Sequence, residues 1–224
     1  MILIPVKNLS AAKQRLAAVL DQPSRTELAH AMLTDVAEAL AASACDDVAL
    51  VTSDEFAVEL ARRHGFDLIR DDLNVSETDA IEMATRLCEA RGIDCTLVIP
   101  ADIPLIEAAE IRTIYESAPE TGTVLVPARD KRGTNAALRR PSSLFPLRFG
   151  NDSFMPHLSE AIATEKSCIV LSLPGIALDV DTPEDLRGLA QSAGEKRSQL
   201  LARSFGFGHA ERANNTANLL AAKS

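Results

Sequence analysis

The four cysteines, Cys45, Cys88, Cys95 and Cys168, include no Cys-x-x-Cys pair, and none has a histidine nearby at zinc-ligand spacing. That excludes the common cysteine zinc sites and reads the thiols as reduced core residues of a reducing compartment. Apolar runs fall far short of the ~18 residues that a membrane span needs. Met1 to Lys7 is too short for a signal peptide and has no cleavage site, so a cytoplasmic protein without a membrane partner is expected. Positive charge is scarce, with 23 Lys and Arg against 32 Asp and Glu and a net charge of -9. A phosphate backbone calls for a basic surface, so a nucleic-acid partner is not expected. His30, His64, His157 and His209 form no cluster and are read as structural or surface residues. There is no nucleophilic serine elbow, no Ser-His-Asp arrangement and no internal repeat.

What remains is a chain of 224 residues with 46% hydrophobic and 25% charged residues, enough for a buried core without disulfides or a structural metal. A short apolar strand opens it at Ile2 to Val6, and its lack of polar alternation predicts cover on both faces. Ser24-Arg25-Thr26-Glu27 reads as a capping box, followed by Leu28, Met32, Val36 and Leu40 at every fourth position of a helix. Strands are expected at 47–52, 66–69, 95–99, 123–127, 136–138 and 168–173. Helices are expected up to His64 with Gly65 as stop, from Ser76 to near Gly92, over 107–117, over 152–165 and from Thr182 with Pro183 at the first helical position. Strands alternating with helices predict an α/β fold: a single-domain, mostly parallel sheet with helices on both faces and room for a late antiparallel strand. The expected domain is 1–191. A C-terminal extension, 192–224, is read as helical, with a helix over 210–222, or loosely ordered, and carries no assigned chemistry.

Ligands of open parallel sheets bind beyond the carboxyl ends of the strands. After the first strand, Pro5, Val6 and Lys7 lead into the small residues Ser10, Ala11 and Ala12, then Lys13 and Arg15. Lys7, Lys13 and Arg15 all precede the first acidic residue, Asp21, and form a positive island in an acidic chain. The segment reads either as a phosphate site or as a solvated basic loop, and it lacks the glycines of the Walker and dinucleotide motifs. Pro100-Ala101-Asp102-Ile103-Pro104 places a rigidly held carboxylate after a buried strand, suited to Mg²⁺. Asp179 and Asp181 lie two apart, on one side of an extended segment, and would repel without a cation or solvent between them. Gly133-Thr134-Asn135 and Arg148-Phe149-Gly150-Asn151-Asp152-Ser153 join glycine to hydroxyl and amide groups. They read either as an anion site at a helix start or as two polar loops with an ordinary cap.

Taken together, and in the same order, these motifs resemble the phospholactate, phosphoenolpyruvate and 3-phosphoglycerate guanylyltransferases of coenzyme F-420 biosynthesis. The matching segments are 5–7, 12–16, 100–105, 133–136, 149–153 and 179–186, and the resemblance spans roughly residues 1 to 190. It implies a nucleotide-diphospho-sugar transferase (glycosyltransferase A-like) fold, GTP as substrate and Mg²⁺ as cofactor. It implies Asp102 and Asp181 as metal ligands with Asp179 as helper, and Lys7, Lys13 and Arg15 as catalytic triphosphate contacts alongside Asp102. Pro5, Val6, Pro100 and Ala101 would line the nucleotide site, and Thr134, Asn135, Arg148, Gly150 and Ser153 the acceptor site. The chain departs from the pattern at Glu77-Thr78-Asp79-Ala80, where relatives often carry Gly-Leu-Asn-x-Ala. Asp79 is expected to accept from guanine N1–H and its exocyclic amine.

The reaction implied is transfer of GMP from GTP to a small phosphorylated carboxylic acid, with release of pyrophosphate and no need of a general base. Same-fold enzymes acting on molybdopterin or a sugar phosphate carry a Gly-rich arginine loop near the start, which is missing here. A nucleotide-binding module without turnover would lack the carboxylates that Asp102 and Asp181 supply. Homodimer formation and delivery of the product to the next enzyme of the pathway fit the resemblance.

Overall fold

The computed structural model describes residues 1–208 apart from 45, 46, 74 and 151. Cys45, Asn151, His209 and the helix expected over 210–222 therefore lie outside the described residues. Seven strands, β1 (Ile2–Val6), β2 (Val48–Thr52), β3 (Asp67–Ile69), β4 (Thr96–Val98), β5 (Gly122–Pro127), β6 (Thr134–Arg140) and β7 (Ser167–Val170), form one sheet in the order β3-β2-β1-β4-β6-β5-β7. All pairings are parallel except those of β6, which runs antiparallel to both β4 and β5. The helices are α1 (Gln22–Ala42), α2 (Glu55–His64), α3 (Glu77–Ala90), α4 (Ala108–Glu116), α5 (Phe154–Ala163), α6 (Pro183–Gln191) and α7 (Arg197–Ser204).

Cover on both faces explains the uninterrupted apolar strands. Ile2, Ile4 and Val6 pack with Leu33, Val36 and Leu40 of α1, Leu60 of α2 and Ile111 and Ile114 of α4. Leu3, with Ala49, Val51 and Val98, faces the opposite layer, Ile81, Ala84 and Cys88 of α3 and Phe154 and Ala161 of α5. Each such leucine or isoleucine, fully withdrawn from water, contributes about 1.5–3 kcal/mol. A third cluster joins Leu16, Leu28 and Met32 to Leu186 and Leu189 of α6 and Ala202 of α7. The start of the C-terminal extension is thus helical and docked. Asp35 in α1 accepts from the backbone N–H of Arg197 (3.0 Å) and Ser198 (2.9 Å).

Two helix starts differ from expectation. The cap of α1 is Asp21, whose carboxylate accepts from Ser24 N–H, because Pro23 takes one of the first helical positions and moves the start upstream of Ser24. Helix α5 begins at Phe154 rather than at residue 152: Asp152 adopts the left-handed conformation and pairs with Arg132, and Phe154 N–H donates to Arg132 O (2.8 Å). Cys88, Cys95 and Cys168 are free thiols. Among the described residues no helix is long and apolar enough to cross a membrane.

Candidate active site

Strands β1 and β4 lie side by side and parallel, so their carboxyl ends open at one edge of the sheet, where the strand order reverses. The loop after β1 winds through two short 3-10 turns, Leu9–Ala11 and Gln14–Leu16. Asn8 caps the first turn by accepting from Ser10 N–H, and Leu9 N–H donates to Asp54 Oδ2 at 3.0 Å. Between the turns Lys13 takes the left-handed conformation, φ 57 and ψ 43. A side chain there costs on the order of 1 kcal/mol and persists only when its surroundings hold it.

What holds Lys13 is a pair of carboxylates. Its Nζ donates to Asp102 Oδ2 at 2.6 Å and to Asp181 Oδ1 at 2.9 Å, and its side chain is 8% exposed. Burial alone would lower its pKa, but Asp102 and then Asp181 outweigh burial and raise it, so the ammonium stays charged. For Asp181 burial pushes upward, and the charge and hydrogen bond of Lys13 bring the pKa below the usual carboxylate range. Arg15 Nη1 stands 3.4 Å from Asp181 Oδ2. Lys7 lines the same hollow, but its ammonium is paired with Asp71 Oδ2 at 2.7 Å.

The two acidic segments come from distant parts of the chain. Asp102 follows β4, and its carbonyl accepts from Val180 N–H at 3.1 Å, which ties the segment 178–181 to it. Thr182 and Asp185 form a capping box at α6, and Asp185 Oδ2 also accepts from Asp181 N–H at 3.3 Å. Asp179 accepts from Asn135 Nδ2 at 3.1 Å; burial, followed by the charge of Asp102, raises its pKa against that hydrogen bond.

Two hollows flank this centre. One, of about 670 Å³, is lined by Pro5, Val6, Lys7, Lys13, Pro100 and Ala101, among others. The other, of about 610 Å³, is lined by Thr134, Asn135, Gly150, Ser153 and Asp179 with neighbours. Arg15, Glu77, Pro100, Asp102 and Asp181 belong to both. The hollows therefore meet along the carboxylates, with the basic loop on the first side and hydroxyl groups on the second.

Two expected site residues are placed elsewhere. Asp79 sits in the first turn of α3, where its carboxylate accepts from Ser76 Oγ and lines a separate hollow with Asp71 and Val75. Helical residues two positions apart are separated by about 200° around the axis, so Asp79 faces away from the wall that Glu77 occupies. Glu77 is the carboxylate that sequence reasoning missed. Burial first, and then the negative charge of Asp102, push its pKa up to about 7 against the pull of Lys13 and Lys7. Arg148 is exposed and lines neither hollow, and its backbone N–H donates to His157 Nε2 at 2.8 Å. The amide of Asn135 donates to Ile176 O and to Asp179, so it anchors the acidic segment to β6.

The donor set fits a hard divalent cation. Asp102 Oδ2 and Asp181 Oδ1 converge within 3 Å of one cationic nitrogen, which marks a point where two carboxylates serve one positive charge. Among the described residues no three Asp, Glu, His or Cys side chains form a ready-made metal cluster. Mg²⁺ suits such a site, because it commonly takes one or two carboxylates and completes its shell with water and reactant phosphates.

Comparison with known proteins gives a consistent picture. Residues 1–220 match the family described as guanylyl transferase CofC like. The chain is 38% identical over 192 residues to the phosphoenolpyruvate guanylyltransferase of Rubrobacter xylanophilus, covering 85% of this chain and 93% of that one. It is 36% identical over 184 residues to the 2-phospho-L-lactate guanylyltransferase of Methanothermobacter thermautotrophicus, covering 82% and 81%. It is 34% identical over 192 residues to the 3-phospho-D-glycerate guanylyltransferase of Colwellia psychrerythraea, covering 84% and 90%. Among solved structures, a Desulfovibrio desulfuricans protein assigned to the nucleotide-diphospho-sugar transferases superposes with a TM-score of 0.74 at 19% identity, covering 91% and 93%.

Proposed function

The chain belongs to the CofC-like guanylyltransferases, a nucleotidyltransferase family, and on that basis we propose that it transfers GMP from GTP to phosphoenolpyruvate, 2-phospholactate or 3-phosphoglycerate, in coenzyme F-420 biosynthesis. The observation that supports this reading is the shared edge of the two hollows at Asp102, Asp181 and Arg15. A donor triphosphate on the Lys13 side and an acceptor phosphate on the Thr134 side would meet there.

In this reading an acceptor phosphate oxygen attacks the α-phosphorus of GTP. The bond from that phosphorus to the bridging oxygen breaks, and the electron pair leaves with pyrophosphate. The acceptor phosphate is already anionic at neutral pH, so no side chain has to remove a proton. The obstacle is repulsion between two polyanions. Lys13 opposes it with a buried positive charge, poorly screened beside the apolar walls at Pro5, Val6, Pro100 and Ala101, and the solvent-exposed Arg15 adds a second, screened one. Bound Mg²⁺, held by Asp102 and Asp181 with Asp179 beside them, would supply further neutralisation of phosphate oxygens. On the second side, Ser153 and Thr134 offer hydroxyl groups, and Gly150, at φ 134, keeps its wall free of a side chain. Glu77 stands at the junction, in the position Asp79 was expected to hold, and is the nearer candidate for a contact to the nucleoside.

The test combines the protein with GTP, Mg²⁺ and each of the three acceptors, with pyrophosphate assayed and product masses read. The expected product is one acceptor joined to GMP through a pyrophosphate linkage. Pyrophosphate release with CTP or UTP but not with GTP would overturn the choice of base, and release with none of the acceptors would overturn the choice of acceptor class.

A further inference from the structure

His157 is 1% exposed, in α5, behind the wall of the second hollow. Both of its ring nitrogens are engaged. The backbone N–H of Arg148 donates to Nε2 at 2.8 Å, and Nδ1 lies 2.9 Å from Thr134 Oγ1. A backbone N–H can only donate, so Nε2 must present a lone pair, and in the neutral ring the proton must sit on Nδ1. Burial, and then the positive charge of Arg139, push the pKa of His157 down to about 4. The ring is therefore neutral at working pH, and Nδ1–H donates to Thr134 Oγ1. Phe149, edge-on with ring centroids 5.5 Å apart, and Phe145 at 6.5 Å hold the ring in place.

Thr134 then has an occupied lone pair and a hydroxyl proton that must find an acceptor elsewhere. Its backbone N–H donates to Ser153 Oγ at 3.0 Å, which loads the second hydroxyl in the same sense. Both residues line the second hollow, so a hydroxyl proton turned toward it meets a ligand that can accept it. We propose that His157 is a positioning residue that fixes the Thr134 hydroxyl as a hydrogen-bond donor to the anionic oxygens of the acceptor. The inference rests on the acceptor-side reading of that hollow. It assigns the wall a direction as well as a shape: anions that only accept hydrogen bonds are favoured there, and ligands that present a donor at that position are penalised by an unmatched pair.

A double-mutant cycle tests it, with phosphoenolpyruvate, 2-phospholactate or 3-phosphoglycerate, whichever turns over, as the varied substrate. Thr134→Val should raise KM for the acceptor about tenfold, the loss expected for one hydrogen bond to an anion. His157→Phe should raise it to a similar degree and leave KM for GTP within about twofold. The double variant should be no worse than the poorer single one. His157→Asn, whose amide N–H replaces Nδ1–H, should recover most of the loss. His157→Gln, which keeps the acceptor for Arg148 but misplaces the donor, should not; this pair decides the matter if the phenylalanine variant does not fold. Multiplying effects in the double variant, equal losses for both substrates, or equal recovery by Asn and Gln would each overturn the positioning role. An unchanged acceptor KM in Thr134→Val would instead overturn the acceptor-side reading itself.

Discussion

The two sides of the cleft hold their polar groups by different means. On the basic-loop side, Lys13 and Lys7 are held by ion pairs with residues distant in the chain, Asp102, Asp181 and Asp71. On the hydroxyl side, Thr134, Ser153, Asn135 and His157 are buried and held by hydrogen bonds to one another and to backbone, with Asn135 also donating to the Asp179 carboxylate. The first arrangement suits a ligand recognised chiefly by charge, which an arriving polyanion can displace into new pairings. The second suits a small ligand whose hydrogen-bond directions must be matched, because a buried donor left unmatched carries its full desolvation penalty.

The contrast is broken most severely at its shared edge. Asp102→Asn should lower kcat by about a hundredfold or more, for the loss of roughly 3 kcal/mol of charge stabilisation in the transition state, in a protein that stays folded with a lowered thermal midpoint, since Lys13 keeps only Asp181 as its partner. Stopped or continuous pyrophosphate assays beside a melting curve check both halves of that expectation; near-normal turnover would remove Asp102 from the chemistry.

Acid should reveal the hydroxyl side through its buried ring. The pKa of His157 is about 4 in the folded protein against an ordinary 6.5, so the unfolded chain binds more protons between those values. The stabilisation is complete above about pH 6.5 and is lost as pH falls toward 4, amounting to about 3 kcal/mol. Denaturant titrations of wild type and His157→Asn between pH 7 and pH 4 should show a shallower decline in the variant. A parallel decline would mean that other groups carry the acid sensitivity.

Ser153→Ala separates the two sides at smaller scale. Acceptor KM should rise about tenfold and KM for GTP should move less than threefold, whereas Lys13→Met should disturb the nucleotide side first. The smallest effect belongs to Asp79. Asp79→Asn should leave KM for GTP within about twofold, while Glu77→Gln should change it more. The reverse order would return the nucleoside contact to Asp79.

Much of the site was legible because strand ends and chain order fix it. Lys13, Asp102 and Asp181 follow β1, β4 and the last strand, and a parallel sheet with β1 beside β4 brings such segments to one edge. The antiparallel strand was likewise visible in the irregular spacing after residue 127. Helix phase was harder. Glu77 precedes Ile81 by four residues and Ala84 by seven, and both are buried, so it continues the inward stripe of α3. That signal is present in the sequence, whereas Asp79, whose carboxylate matches guanine's donor pair, shares its side with the half-exposed Met83.

His157 could not be read in the same way. Its partners, Arg148 N–H and Thr134 Oγ1, lie nine and 23 positions away, and no spacing rule links a helix residue to the first residue of an antiparallel strand. The left-handed backbone of Lys13 was equally hidden, since it is imposed by two carboxylates 89 and 168 positions downstream. Such groups are fixed by tertiary closure, not by local propensity.

The two hollows meet edge to edge, and in the proposed reaction the nucleotidyl group passes directly across that edge from one ligand to the other. Turnover of a GTP analogue bearing a stereogenic, sulfur-substituted α-phosphorus reads this out. A single in-line displacement predicts inversion of configuration at that phosphorus in the product; retention would show two successive displacements through an enzyme-bound nucleotidyl group and would rule out direct transfer.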